Sequence, residues 1–214
     1  MLMNNFFDKI YCINLDRRTD RWEKCINEFK KHNLNVERFS AKDGKEINLP
    51  YPHASELGGT ISHLNVIKLA KELNLKNVLI LEDDVEFISD LNFKINDIMA
   101  QAPQEWDMIY FGGNHVGGYQ QINSVFYKIF RSYAIQCYAV NSKCFDTIIN
   151  YLTEKIDGLL SGSISSDPGA AADFFIADLH PKTNSYVIKP HLCWQKEDFS
   201  DIQETTVNYE FLKK

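Results

Sequence analysis

Residues 77–84 read NVLILEDD, and four apolar residues, Val78 to Leu81, run straight into Glu82, Asp83 and Asp84. A short continuous apolar run of this kind predicts a strand covered on both faces, the signature of a parallel sheet. Three adjacent carboxylates repel one another and push a pKa upward unless something neutralises them. In an open α/β sheet, ligands gather beyond the carboxyl ends of the strands. That places the triplet at the mouth of a crevice, where a hard divalent cation would neutralise it. Mg²⁺ is commonly held by one or two carboxylates plus substrate phosphates, and Mn²⁺ favours similar oxygen ligands. On spacing alone, solvated acids at a strand end or a helix cap fit equally well.

Outward from this strand, helix and strand patterns alternate. Residues 9–15 (KIYCINL) predict a buried strand. Residues 19–34 predict a helix with Trp22, Ile26, Phe29 and Asn33 on one face and an Asp20–Glu23 capping box. Residues 35–41 predict a second strand, and 42–59 (KDGKEINLPYPHASELGG) a loop. A helix capped by Ser62 follows, with Val66, Ile67, Ala70 and Leu73 facing inward. Downstream come a helix near 91–102, the strand WDMIYFGG (106–113), and a mobile loop at 114–121. VFYKIF (125–130) and YAIQCYAV (133–140) read as two strands in a hairpin. Ser142 caps the next helix, a Gly/Ser-rich loop spans 157–171, ADFFIADL (172–179) forms a short helix, SYVIKP (185–190) a last strand, and a polar tail closes the chain. The alternation argues for an α/β fold built on a mainly parallel sheet flanked by helices. No shift in composition divides the 214 residues, so residues 1–214 are read as one domain.

The balance of 44% hydrophobic and 24% charged residues is that of a globular chain and excludes disorder as the default. A net charge of −6 argues against a sequence-independent grip on nucleic acid. An anionic ligand therefore needs local cations or a metal. The five cysteines form no CxxC pair and no zinc spacing, which reads as free thiols in a reducing compartment. No apolar run reaches the ~18 residues of a membrane span, and Asp8 and Lys9 interrupt any leader-like start. A cytoplasmic protein is the expectation.

Two further constellations carry chemistry. NLDRRTDRW (14–22) places Arg17, Arg18 and Arg21 at the end of the first strand, where guanidinium forks match phosphate oxygens; Asn14 and Asp16 are placed to meet a base or ribose. In GGTISH (58–63), Gly58 and Gly59 allow close backbone approach, and a helix starting near Ser62 offers free amides to an anion, with His63 beside it. Solvated arginines and a plain loop-to-helix turn are the competing readings. Gly112 and Gly113 end a strand on the same side, with Asn114 and His115 next to them.

The order YCINLDRRTDRW, ELGGTISH, LILEDDV resembles glycosyltransferase family 25, which includes lipopolysaccharide β-galactosyltransferases and collagen hydroxylysine galactosyltransferases. SYAIQCYAVNSKCFDTII, AADFFIADL and KPHLCWQKEDFSDI are similar to its later segments, so the likeness spans residues 9 to 204. The Gly59-Thr60-Ile61 stretch departs from the Gly-Cys or Gly-Ala often found there. The resemblance implies a GT-A fold, a UDP-sugar donor and Mn²⁺ or Mg²⁺. Carried over by position, it implies that Asp84 touches metal, that Glu82 or Asp83 lies nearer the ribose or makes a second metal contact, and that Asn14, Leu15 and Arg17 lie beside uracil and ribose. It also makes His191 and Gln195 candidates to complete the metal or phosphate site.

The implied reaction moves a hexose, galactose first among the candidates, to an acceptor hydroxyl with inversion. Asp173 is the expected general base, ahead of Asp167 and Asp178. Acceptors left open are a glycan end, a lipid-linked sugar and a hydroxylysine peptide. The rivals are a non-catalytic UDP- or sugar-binding relative and a metal-dependent nucleotidyltransferase or phosphohydrolase. The second of these is disfavoured by the absence of a GxxxxGK[ST] loop.

Overall fold

The computed structural model describes residues 3–49, 53–167, 169–209 and 213. In chain order its strands are β1 (Lys9–Asn14), β2 (Glu37–Ser40), β3 (Asn77–Glu82), β4 (Val85–Phe87), β5 (Met108–Tyr110), β6 (Asn114–His115), β7 (Tyr119–Gln121), β8 (Phe126–Ile129), β9 (Ser132–Tyr133), β10 (Cys137–Asn141), β11 (Ser185–Ile188), β12 (Cys193–Gln195), β13 (Asp198–Ser200) and β14 (Thr205–Val207). The helices are α1 (Thr19–Lys31), α2 (His53–Glu72), α3 (Leu91–Met99), α4 (Ser142–Ser161) and α5 (Ala172–Ala177).

Eight strands form the central sheet in the order β2-β1-β3-β10-β5-β11-β8-β7. Six of them run the same way, and only β10 and β8 are reversed. The apolar run in β3 is explained by its place inside this sheet. Successive side chains of a strand point to opposite faces, and here both faces are covered. Val78 and Ile80 join a core with Val66 and Ile67 of α2 and Ile148 and Leu152 of α4. Leu79 and Leu81 join a second core with Cys25 and Phe29 of α1 and Ile95 of α3. All four are fully buried, so truncating any of them to alanine costs about 2–5 kcal/mol.

One edge of the sheet gathers the ends that matter for ligands. β1, β2, β3 and β5 all finish there. Antiparallel β10 starts there, with Cys137 opposite Leu81.

Several local expectations are corrected. α2 begins at His53, not near Ser62; residues 50–52 of the expected loop lie outside the described residues. Gly58 and Gly59 are both helical, and α2 packs tightly at the first: a Cβ on Gly58 would lie 2.7 Å from the Lys42 carbonyl oxygen and 2.9 Å from the Gly44 nitrogen. Ser62 donates back to the Gly58 carbonyl at 2.7 Å instead of capping a helix start. β8 and β10 form no hairpin. β8 pairs with β7 and β11, while β10 sits between β3 and β5, a long-range choice that an apolar run does not encode. Asp20 reaches the Arg18 guanidinium at 2.9 Å and makes no capping box. Asn141, one residue before Ser142, caps α4 by accepting from the Lys143 N–H. α4 also runs into the expected Gly/Ser loop as far as Ser161, where Gly162 at φ 73° ends it in the left-handed conformation. The expected loop at 114–121 contains β6 and β7, and the tail contains β12, paired with β4, and the β13–β14 hairpin.

Candidate active site

A cavity of about 410 Å³ opens along the gathered edge of the sheet. From β1, α1 and the turn between them it takes Asn14, Leu15, Arg17 and Arg21; from α2 it takes Gly59, Ser62 and His63. Glu82, Asp83 and Asp84 line it as well, with Asp173 of α5 and Gln195 of β12. The shared edge of the sheet and the short reversal into β4 bring these distant segments together.

The three acids have three different surroundings. Asp83 is clamped. Its Oδ1 accepts from Arg21 Nη1 at 2.5 Å, its Oδ2 from Asn14 Nδ2 at 2.6 Å, and its backbone carbonyl from the Cys25 thiol at 3.1 Å. Every one of these partners belongs to β1 or α1. The Asn14 amide is engaged at both ends, since its Oδ1 accepts from Arg38 Nε at 2.8 Å. Burial raises the Asp83 carboxyl above its ordinary value, and Arg21 opposes the shift.

Glu82 turns toward α2. Its Oε1 lies 3.2 Å from His63 Nε2, and His63 Nδ1 is 3.0 Å from the Tyr138 hydroxyl. His63 is 3% exposed, so it braces Glu82 from inside the core.

Asp84 is the least satisfied. Gln195 Nε2 donates to its Oδ2 at 3.4 Å, and Arg21 Nη2 lies 3.5 Å from the same oxygen. Its Oδ1 is buried with no hydrogen-bond partner, and Arg21 Nε shares that condition. Burial and the Glu82 and Asp83 charges push the Asp84 carboxyl up to about 8. A buried acceptor without a partner carries a penalty of about 1–3 kcal/mol, more when charged.

Among the described residues, no group of three or more His, Cys, Asp or Glu side chains is arranged to hold a metal ion. A site completed by substrate phosphates does not require one, because one or two carboxylates suffice for Mg²⁺. The orphaned Asp84 oxygen and the carboxylates of Glu82 and Asp83 beside it fit a hard divalent cation.

The arginines are not free charges. Arg17 pairs with Asp43 and Asp201, each at 2.7 Å. Arg18 pairs with Asp20 and Asp201 and does not line the cavity. Asp173 accepts the Ala134 N–H at 3.2 Å on Oδ2 and its neighbour Phe174's N–H at 2.9 Å on Oδ1. Burial raises its carboxyl above the ordinary value, and the Glu82 charge adds to this. Asp178 instead holds Arg131 and Tyr151. Asp167 lies outside the cavity.

Three other expected residues also stand outside the cavity. Gly112 packs where a Cβ would meet the Cys193 carbonyl oxygen at 2.2 Å. Gly113, at φ 150°, turns the chain between β5 and β6. His191 is buried, and its Nε2 lies 3.0 Å from Nε2 of the half-buried His115. The reading of a helix start at Ser62 gives way to a mid-helix position, so the free-amide argument for GGTISH lapses. Sequence reasoning passed over Tyr133 and Phe174 and the part played by Asp201. Ala134, at φ 63°, aims its N–H at Asp173, and no residue preference announces a left-handed alanine.

The profile described as glycosyltransferase family 25 (LPS biosynthesis protein) matches residues 7–193. A glycosyltransferase 25 family member of Drosophila pseudoobscura pseudoobscura is 38% identical over 129 residues, 49% of this chain and 20% of its own. Human procollagen galactosyltransferase 2 is 32% identical over 129 residues, 50% of this chain and 21% of its own. A bovine relative described as probable inactive glycosyltransferase 25 family member 3 is 26% identical over 133 residues, 51% and 22%. The matched region spans about a fifth of the length of these relatives. Two solved structures share the fold at 12% identity and a TM-score of 0.50. One is a glycosyltransferase involved in glycosylation of the major capsid of PBCV-1, covering 84% of this chain and 79% of that one. The other is GlyE of Streptococcus pneumoniae TIGR4, covering 85% and 45%. The architecture is the GT-A fold, with a mostly parallel central sheet flanked by helices, and the chain belongs to glycosyltransferase family 25.

Proposed function

We propose that this chain transfers a hexose, galactose in the first instance, from a UDP-sugar to an acceptor hydroxyl with inversion. The observation that carries this reading is the buried, unpartnered Oδ1 of Asp84 on the cavity wall. It is a buried carboxyl oxygen that no protein group satisfies. A bound Mn²⁺ or Mg²⁺ held by Asp84, with Glu82 and Gln195 beside it, would stabilise charge developing on the UDP leaving group.

The protein's own groups divide the remaining work. Asp83 fixes the acidic turn to β1 and α1 through Arg21 and Asn14. Arg17 and Leu15 stand at the β1–β2 end of the cavity, the side proposed for the nucleotide. Asp173, anchored by two backbone N–H groups and raised in basicity, takes the proton from the acceptor hydroxyl. The acceptor oxygen bonds to the anomeric carbon, the bond from that carbon to the UDP oxygen breaks, and UDP departs with the electron pair.

Pairing of Arg17 and Arg18 with protein carboxylates favours one second reading, a relative that binds UDP without turnover. A donor screen separates the two. With Mn²⁺, UDP-galactose and UDP-glucose are tested for UDP, sugar-1-phosphate and inorganic phosphate release. UDP release that depends on the metal supports transfer. Sugar-1-phosphate or phosphate release points to nucleotidyl or phosphoryl chemistry, and UDP binding with no release points to the non-catalytic reading.

A further inference from the structure

The cavity is divided by charge along the order of the sheet. Its β2–β1 end carries Arg17, Lys42 and Asp43, and the acidic turn after β3 occupies the middle. Beyond it, the end beside β10 and β5 is lined by Asn114, Tyr133, Ala134, Asp173 and Phe174, with no Lys or Arg among them. This end is unsuited to a phosphate and suited to a neutral, hydroxyl-rich ligand.

The two aromatic rings there are neighbours across the chain. Tyr133 of β9 and Phe174 of α5 have centroids 5.0 Å apart with planes 37° from parallel. Both remain half-buried while facing the cavity. Tyr133 is held from outside: Arg131 Nε donates to its hydroxyl at 2.7 Å, and the Arg131 guanidinium carbon lies 5.5 Å from the ring centroid. Arg131 in turn pairs with Asp178 at 3.1 Å. The rings also frame Asp173. Phe174 follows it in sequence and donates an N–H to it, and Ala134, next to Tyr133, donates the other. An aromatic face carries partial negative charge and attracts the polarised C–H groups on one face of a pyranose.

We propose that Tyr133 and Phe174 form the wall on which a pyranose ring of the acceptor stacks, presenting its hydroxyl to Asp173. The assignment rests on the transferase reading for its direction, donor at β1 and acceptor at β10. The same chemistry has a second source, the transferred hexose itself.

The test uses Phe174→Leu and Tyr133→Leu, with Phe174→Tyr as the ring-preserving control and circular dichroism to confirm folding. Initial rates are measured with UDP-galactose and Mn²⁺, using methyl β-glucopyranoside and methyl β-galactopyranoside as acceptors and no acceptor as the hydrolysis arm. Saturation-transfer NMR follows the same glycosides bound in the presence of UDP, without turnover. Loss of one stacking face is expected to raise the acceptor KM about tenfold. Donor KM stays within about twofold on the same scale, and Phe174→Tyr, which keeps the ring, keeps the wild-type acceptor KM. A rise in donor KM alone assigns the rings to the transferred hexose and overturns the proposal. Unchanged constants, or equal use of a hydroxylated peptide by wild type and Phe174→Leu, also overturn it. If the wild-type protein transfers nothing, a glycoside NMR signal that Phe174→Leu abolishes keeps the pyranose wall and refutes the transferase reading. Absence of that signal in the wild type refutes the wall.

Discussion

Arg21 binds Asp83 at 2.5 Å and lies 3.5 Å from Asp84, so one guanidinium balances two acids that are each no more than 15% exposed. Removing one partner of a buried ion pair leaves an uncompensated charge and costs about 3–5 kcal/mol. Arg21→Met is therefore expected to lose stability in that range by urea denaturation, and Arg21→Lys to recover only part, since an ammonium cannot reproduce the fork. Asp83→Asn is expected to destabilise because it weakens the tie to Arg21 and α1. Asp84→Asn, which removes a buried carboxyl that is costly to ionise, is expected to keep or raise stability in metal-free buffer.

The proposed general base, Asp173, makes a separate prediction. Asp173→Asn keeps one side-chain oxygen, enough to accept only one of the Ala134 and Phe174 N–H groups, and loses the proton acceptor. Loss of a positioned base lowers kcat by about 10²–10⁴-fold, and UDP affinity measured by calorimetry is expected to stay at the wild-type value.

Much of this is legible in the sequence alone. Val78–Leu81 announced a doubly covered strand, and the acids after it marked a strand end facing a crevice. Asp173 emerged with its short helix, and Gln195 reached the acidic turn because β12 pairs beside β4. What stayed hidden depended on distance in sequence. Neither the partition of Asp83, Glu82 and Asp84 among Arg21, His63 and Gln195 nor the tie of Asp201 to Arg17 and Arg18 follows from local pattern. Residues 53–59 fall in the stretch 42–59 that reads as a loop because it holds Gly and Pro and little periodicity, whereas close packing on the Lys42–Gly44 backbone is what requires Gly58.

The adjacent glycines of α2 separate these effects. A Cβ at Gly58 strikes backbone that cannot swing aside, while a Cβ at Gly59 meets nothing within 4 Å. Gly58→Ala is expected to destabilise by about 1–3 kcal/mol through overpacking. Gly59→Ala is expected to gain about 1 kcal/mol of helix propensity. Because Gly59 lines the cavity, any loss in that variant is expected in donor KM. Thermal and urea unfolding, with donor kinetics, check both.

His180 sets a pH dependence. It is fully buried, accepts the Ser132 N–H on Nδ1 at 3.2 Å and meets the Tyr110 hydroxyl through Nε2 at 2.8 Å. Burial lowers its pKa from 6.5 to about 4. The unfolded chain therefore binds the extra proton first as pH falls. Stability from this group is complete above about pH 6.5, declines between there and about 4, and totals about 3 kcal/mol. His115, lowered to about 3 by burial, adds loss in the same window. The check is thus the difference between wild type and His180→Gln in urea unfolding at pH 7.5 and pH 5, where the variant is expected to lose less stability on acidification.

The most direct measurement is calorimetric titration of UDP, with and without Mn²⁺, into wild type, Asp84→Asn and Asp83→Asn. The account predicts that Mn²⁺ tightens UDP binding to wild type, that Asp84→Asn loses this gain while keeping its metal-free affinity, and that folded Asp83→Asn keeps the larger part of it. Wild-type Mn²⁺-dependent UDP affinity in Asp84→Asn would contradict the account.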